Sequence, residues 1–227
     1  MAQGLWVFLA GASRGVGREV AHCLVQQGFQ VVALLRNPDS QAELNAMGIQ
    51  TVLGDALDRE SLDRAMAIAP IWAVISTIGG VSPEGVRSDY LGNRNLIDAA
   101  VSAGVERFIL VSSIGSGDSV KALPPHVLEA LGAVLAEKEQ AEQHLIASGL
   151  NYTVIRPGGL KSEPATGNGV LTPDPSISGT IHRADVAALV CQCLHSQQAD
   201  RRVLSAVDRL MVWGQTDFET VPLTTDS

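Results

Sequence analysis

The sequence predicts one doubly wound α/β domain, a parallel sheet of about seven strands with helices on both faces. Three observations point there. Short apolar runs bounded by turn residues recur along the chain, helical stretches lie between them, and the composition suits such a sheet: 46% hydrophobic but only 4% aromatic. At 227 residues the chain fills one domain of this kind and is too short for two. The domain is expected over residues 1–210 with a minimal substrate region inside it. Residues 211–227 read as a weakly periodic tail whose last four, Thr224 to Ser227, are expected to be disordered.

Taken in order, strands are expected over residues 5–10, 30–35, 51–53, 73–78, 107–112, 151–155 and 202–206. Helices are expected over 16–27, 85–103, 128–148 and 184–196, with Gly28, Gly104 and Gly149 just past three of their ends as C-cap residues. In a doubly wound sheet a ligand lies outside the carboxyl ends of the strands, where strand order reverses. Two Pro/Gly/Ser-rich segments, 116–125 and 161–179, follow strands on that edge and have the length of functional loops.

Charge and composition remove several function classes. A formal net charge of -8 with no basic run argues against a nucleic-acid partner. Cys23, Cys191 and Cys193 form neither a disulfide framework nor a zinc-ligand set, which implies a reducing, cytoplasmic setting and no metal site. The apolar start, LWVFLAGA, has no basic n-region and runs straight into a glycine motif, so it reads as a buried strand. No stretch is long and apolar enough for a membrane span, and no membrane partner is expected.

The glycines carry the first functional signal. In LWVFLAGASRGVGREVAHCL, Gly11, Gly15 and Gly17 stand between the first strand and the first helix. Gly11 permits the tight turn, Gly15 lets backbone approach a pyrophosphate, and Gly17 lets the helix pack on the strand. Free amides at the helix start then face the anion. The spacing is GxxxGxG, and the second strand ends in Arg36 where an acidic residue would hold a ribose 2′-hydroxyl. A guanidinium there pairs with a 2′-phosphate, and Arg14 can add a second charge, so NADP(H) is the expected cofactor. Asp55 stands either beside the adenine or as the cap of a helix starting near Asp58.

GASRGVG, SDYLGNRNLIDAAVSAGVERFILVSSIG and KEQAEQHLIASGLNYTVIRPGGL together resemble the atypical short-chain dehydrogenase/reductase superfamily, with its Rossmann-type core, over nearly the whole chain through Ala206. Within it, the small size looks most like the NADPH-dependent flavin reductase/biliverdin reductase B group and its NmrA-like relatives. By position the resemblance implies that Gly11, Ser13, Arg14, Gly15, Val16, Gly17 and Arg36 hold the phosphates, with Asp55 and Ala56 at the adenine. Thr77, Ile78 and Gly79 fall beside the adenosine ribose, and Pro157, Gly158, Gly159 and Leu160 beside the carboxamide. Ser112, Ser113 and Lys138 take the catalytic places, Lys138 also holding the nicotinamide ribose.

One departure decides the expected chemistry. Alcohol-oxidising relatives carry a Tyr four residues before the Lys; here that place is Val134, while Tyr90 reads as a packing residue. Reducing a ketone leaves an alkoxide that needs such a donor, whereas a flavin or linear tetrapyrrole spreads the charge over heteroatoms and can take its proton from solvent. The implied activity is NADPH-dependent reduction of a flavin-like or bilin-like small molecule such as biliverdin, by a monomer. The alternative is an NADP(H)-binding redox sensor of NmrA type, or an assembly factor, that turns nothing over. At residue level, Ser112 and Ser113 could instead satisfy strand-end amides, and Lys138 could pair with Glu142 one turn on. His126 reads as solvent-facing, His182 with Arg183 and Asp185 as a structural cluster at a helix start, and His22, His144 and His195 lack nearby carboxylates in sequence.

Overall fold

The structure is a computed structural model that describes residues 4–81 and 85–223. The expectation about Thr224 to Ser227 therefore lies outside the described residues. All seven expected strands form: β1 (Trp6–Ala10), β2 (Gln30–Leu35), β3 (Gln50–Leu53), β4 (Ile71–Ser76), β5 (Arg107–Val111), β6 (Asn151–Pro157), and a last one after three further strands. Those three are β7 (Gly159–Lys161), β8 (Gly169–Thr172) and β9 (Ser178–His182), followed by β10 (Arg202–Asp208) and β11 (Val212–Trp213). The helices are α1 (Gly15–Gln26), α2 (Gln41–Ala46), α3 (Arg59–Met66), α4 (Leu91–Ser102), α5 (Pro125–Ala147) and α6 (Arg183–Cys193).

The main sheet runs β3-β2-β1-β4-β5-β6-β10-β8; its seven predicted strands are parallel, and β8 pairs antiparallel with β10 as an eighth at the edge. A small second sheet runs β11-β9-β7. Strand alternation divides the core in two. Val7, Leu9 and Ile75 pack with Val20, Leu24 and Val190 under α1 and α6. Phe8, Val74 and Phe108 pack with Leu62, Leu96 and Leu145 under α3, α4 and α5. Both faces are apolar because parallel strands are covered twice, which is why the strands read as continuous hydrophobic runs.

Three boundaries differ from expectation. The helix expected over 85–103 begins at Leu91; ahead of it Ser88 N–H donates to the Gly80 carbonyl at 2.9 Å, a bond outside any helix. The segment 161–179 is no plain loop: it contains β8 and leads into β9. The tail is fastened to the domain through β11 on β9 and through Val221, which is buried and donates its N–H to the Leu171 carbonyl at 2.9 Å. Among the described residues no helix is long and apolar enough to cross a membrane.

Candidate functional site

Strand order reverses between β1 and β4, so the turns that follow these two strands form the walls of a crevice at the carboxyl edge. They are locked together. Thr77 N–H donates to the Ala10 carbonyl at 2.9 Å, and its hydroxyl lies 3.1 and 3.2 Å from the carbonyls of Ala10 and Gly11. Gly11 has φ +98°, and a Cβ there would stand 2.4 Å from the Thr77 hydroxyl. A Cβ on Gly17 would come within 2.0 Å of the Gly11 carbonyl oxygen, so only glycine lets α1 seat this closely. Arg18, which the sequence reading passed over, ties the loop from the other side: its guanidinium donates to the carbonyls of Ala12 at 3.2 Å and Ser13 at 3.0 Å and pairs with Glu43.

This cradle fits a dinucleotide's phosphates. Arg14 sits at the N-cap of α1 in extended conformation and supplies no side-chain cap, so the first-turn amides of Gly15, Val16 and Gly17 are left for an anion. The Arg14 and Arg36 side chains are exposed and make no ion pair with another described residue. Asp55 does not cap α3: its carboxylate accepts from Leu57 N–H at 2.9 Å, and Asp58 takes the cap by accepting from Glu60 N–H at 3.1 Å. Ala56 is buried in the turn between them, which Asn95 pins by donating to the Ala56 carbonyl at 3.0 Å.

Lys138 projects from α5 to the end of β4. Its Nζ lies 3.0 Å from Asp89 Oδ1, and the other Asp89 oxygen accepts from Gly80 N–H at 2.8 Å. A Cβ on Gly79 would meet Asp89 at 2.6 Å and Lys138 Nζ at 3.4 Å, which brings Thr77, Ile78, Gly79 and Lys138 to one place. The alternative pairing of Lys138 with Glu142 is overturned. Asp89 was hidden in the sequence because the carboxylate that holds the lysine lies 49 residues before it.

Glu142 instead faces Arg156. Arg156 Nε and Nη2 donate to its two oxygens at 3.1 and 2.7 Å, and Nη1 reaches Asp118. Burial alone would lower the Arg156 pKa, but the bonds and charge of Glu142, and then of Asp118, raise it above its ordinary value. Ser112, buried, donates its hydroxyl to Glu142. That proton points into the ion pair, so Ser112 also supports this network. Ser113 is half-buried and donates to its neighbour's carbonyl, Ile114, at 2.9 Å.

Ile114 N–H donates to the Pro157 carbonyl and stitches the turn after β5 to the end of β6, while Gly158 N–H donates to the Ala206 carbonyl on β10, both at 3.0 Å. A Cβ on Gly158 would stand 2.3 Å from the Gly179 carbonyl oxygen, while Gly159 and Leu160 lie exposed on β7. At the start of α6, buried Asp185 accepts from the N–H groups of Thr166 and Gly167, both at 2.9 Å, and Asp208 shares the Thr166 hydroxyl. His182 Nδ1, buried and without a hydrogen-bond partner among the described residues, lies 3.6 Å from Asp185, and ligand atoms of His182, Asp185 and Asp208 all lie within 4.8 Å of one another. His126 is exposed, and His144, which has no carboxylate partner nearby in sequence, finds one in space, 2.7 Å away at Asp98 on α4.

Comparison with known proteins bears on this geometry. The family described as NAD(P)H-binding is matched over residues 11–197. The solved structure of ChuY, an anaerobilin reductase from Escherichia coli O157:H7, superposes with a TM-score of 0.81 at 35% identity, covering 89% of this chain and 96% of that one. YhfK of Bacillus subtilis, described as an uncharacterized sugar epimerase, is 32% identical over 207 residues, covering 89% of this chain and 94% of its own. Sanguinarine reductase of Eschscholzia californica is 29% identical over 243 residues, with 87% of each chain covered. Since the matched span runs from the glycine loop through the whole of α6, the chain belongs to the NAD(P)H-binding Rossmann family.

Proposed function

We propose that the protein is an NADPH-dependent reductase of a conjugated small molecule of bilin or flavin type, working as a monomer in the cytoplasm. The observation that carries this reading is the absence of a placed phenol. The chain has two tyrosines. Tyr90 and Tyr152 both pack against the hydrophobic core, and Val134 stands one turn before Lys138. With no such donor, a substrate that stores charge in its own conjugated system and takes its proton from water is the chemistry these residues support. ChuY and sanguinarine reductase, both named as reductases, support the same class.

NADPH, when bound, supplies the hydride. The chain's residues do the positioning: the Gly11–Gly17 cradle takes the diphosphate, Arg36 and Arg14 the 2′-phosphate, and Lys138, braced by Asp89, the nicotinamide ribose. Asp55 and Ala56 border the adenine, and Gly158 with Gly159 gives the nicotinamide ring a flat backbone wall. Ser113, beside Ser112, meets the acceptor by exchanging its local bond to the Ile114 carbonyl. The test is to mix pure protein with NADPH and either biliverdin or FMN and follow absorbance at the nicotinamide band. Acceptor-dependent loss of NADPH is expected. Coenzyme binding without turnover of either acceptor would overturn the reductase reading in favour of a non-catalytic NADP(H) sensor.

A further inference from the structure

Arg183 begins α6, yet its side chain crosses to the glycine loop. Its Nε would lie 3.7 Å from a Cβ placed on Gly15, the first residue of α1, and its Nη1 donates to the Ser162 hydroxyl at 2.7 Å. The placement is electrostatically odd. A full positive charge lies against the positive end of a 12-residue helix, and among the described residues its bonded partner is a neutral hydroxyl, not a carboxylate. Two positive groups face one space, and α1 has no side-chain cap to fill it. An anion between them resolves the repulsion. On its other side, the same turn of α6 grips the segment after β7 through Asp185, Thr166 and Gly167.

We infer that Arg183 is a clamp on the diphosphate of the nicotinamide coenzyme, closing over it from α6 opposite the α1 amides. Its bond to Ser162 links coenzyme occupancy to the segment 162–168 beside the acceptor side of the crevice. The inference rests on coenzyme binding at the glycine loop. It differs from the role of Arg36 in a measurable way: the diphosphate is common to NADP and NAD, whereas the 2′-phosphate is not.

The test is calorimetric titration of NADP⁺ and NAD⁺ into the full chain and its variants. Arg183→Gln is expected to weaken both coenzymes by a similar factor, about 10–100-fold, the range for a lost charged hydrogen bond. Arg183→Lys keeps the charge and loses the fork, and should weaken both by about 3–10-fold. If the Gln variant fails to fold, the Lys variant carries the same comparison. In Ser162→Ala, coenzyme should slow hydrogen exchange in 162–168 less than it does in the parent. Unchanged affinity in the Arg183 variants, or a loss confined to NADP⁺, overturns the clamp; equal slowing of exchange in Ser162→Ala and parent overturns the link. Failure of the parent to bind either coenzyme is a separate result, against the coenzyme site itself.

Discussion

Replacing Glu142 tests whether the buried ion pair behind Ser112 holds that wall of the crevice. Glu142 is 1% exposed and Arg156 6% exposed. Removing the carboxylate in Glu142→Leu strands the guanidinium with Asp118, whose side chain is 70% exposed and so a weak, solvent-screened substitute. Breaking one partner of such a pair costs about 3–5 kcal/mol, because an uncompensated charge stays buried. For a chain of 227 residues each kcal/mol moves the melting temperature by roughly 2–4 °C, so a fall of about 6–20 °C is expected. The double variant Glu142→Leu/Arg156→Met removes both charges and should regain most of the loss. Thermal unfolding followed by circular dichroism measures all three proteins. A drop below about 1 kcal/mol in the single variant, or no recovery in the double, would show that the pair is not desolvated as described.

Three further outcomes are expected. Gly17→Ala drives a methyl to within 2.0 Å of the Gly11 carbonyl, a backbone atom that cannot swing aside; displacing α1 should cost about 1–3 kcal/mol and blunt stabilisation by NADPH, and an unchanged melting curve with coenzyme would refute the tight helix seat. Arg36→Ala should weaken NADPH by about 1.5–3 kcal/mol and leave NADH alone; equal loss of both in fluorescence titration would take the 2′-phosphate away from Arg36. Hydrogen bonding to Cys191 lowers the pKa of half-buried Cys23, the same contact and burial raise Cys191, and burial pushes Cys193 up to about 12. An aromatic disulfide reagent at mildly alkaline pH should therefore titrate Cys23 first and the other two only after unfolding; simultaneous reaction of all three in the native protein would contradict this order.

The parallel strands were legible because burial on both faces leaves no polar position to interrupt runs such as Val7–Ala10 or Phe108–Val111. The small sheet was not. β7 is three exposed residues and β11 only two, too short for any period to register, and β8 lies within a segment rich in Pro and Gly. The glycine loop was legible down to the role of Gly17, since steric demand falls on the residue itself. Partnerships between distant charges were invisible: Lys138 sits four residues from Glu142 but bonds Asp89, and Glu142 bonds Arg156. Helical spacing allows the Lys138–Glu142 pair equally well; only the packing of α5 on the sheet turns one side chain toward the crevice and the other toward β6. Arg183 escaped for the same reason, lying 168 positions from the glycine it approaches.

The last pairing in the main sheet has a consequence for how the molecule behaves in a crowd. A strand at the rim offers a row of free amides and carbonyls on which another chain can template itself. Here β8 is only four residues long, and the chain's own Val221 comes back to take the Leu171 carbonyl on that rim. The C-terminal segment thus works as a selvedge, finishing the weave so that it neither frays nor catches on a neighbour, and shortening the chain at Leu210 would leave a raw edge inviting self-association.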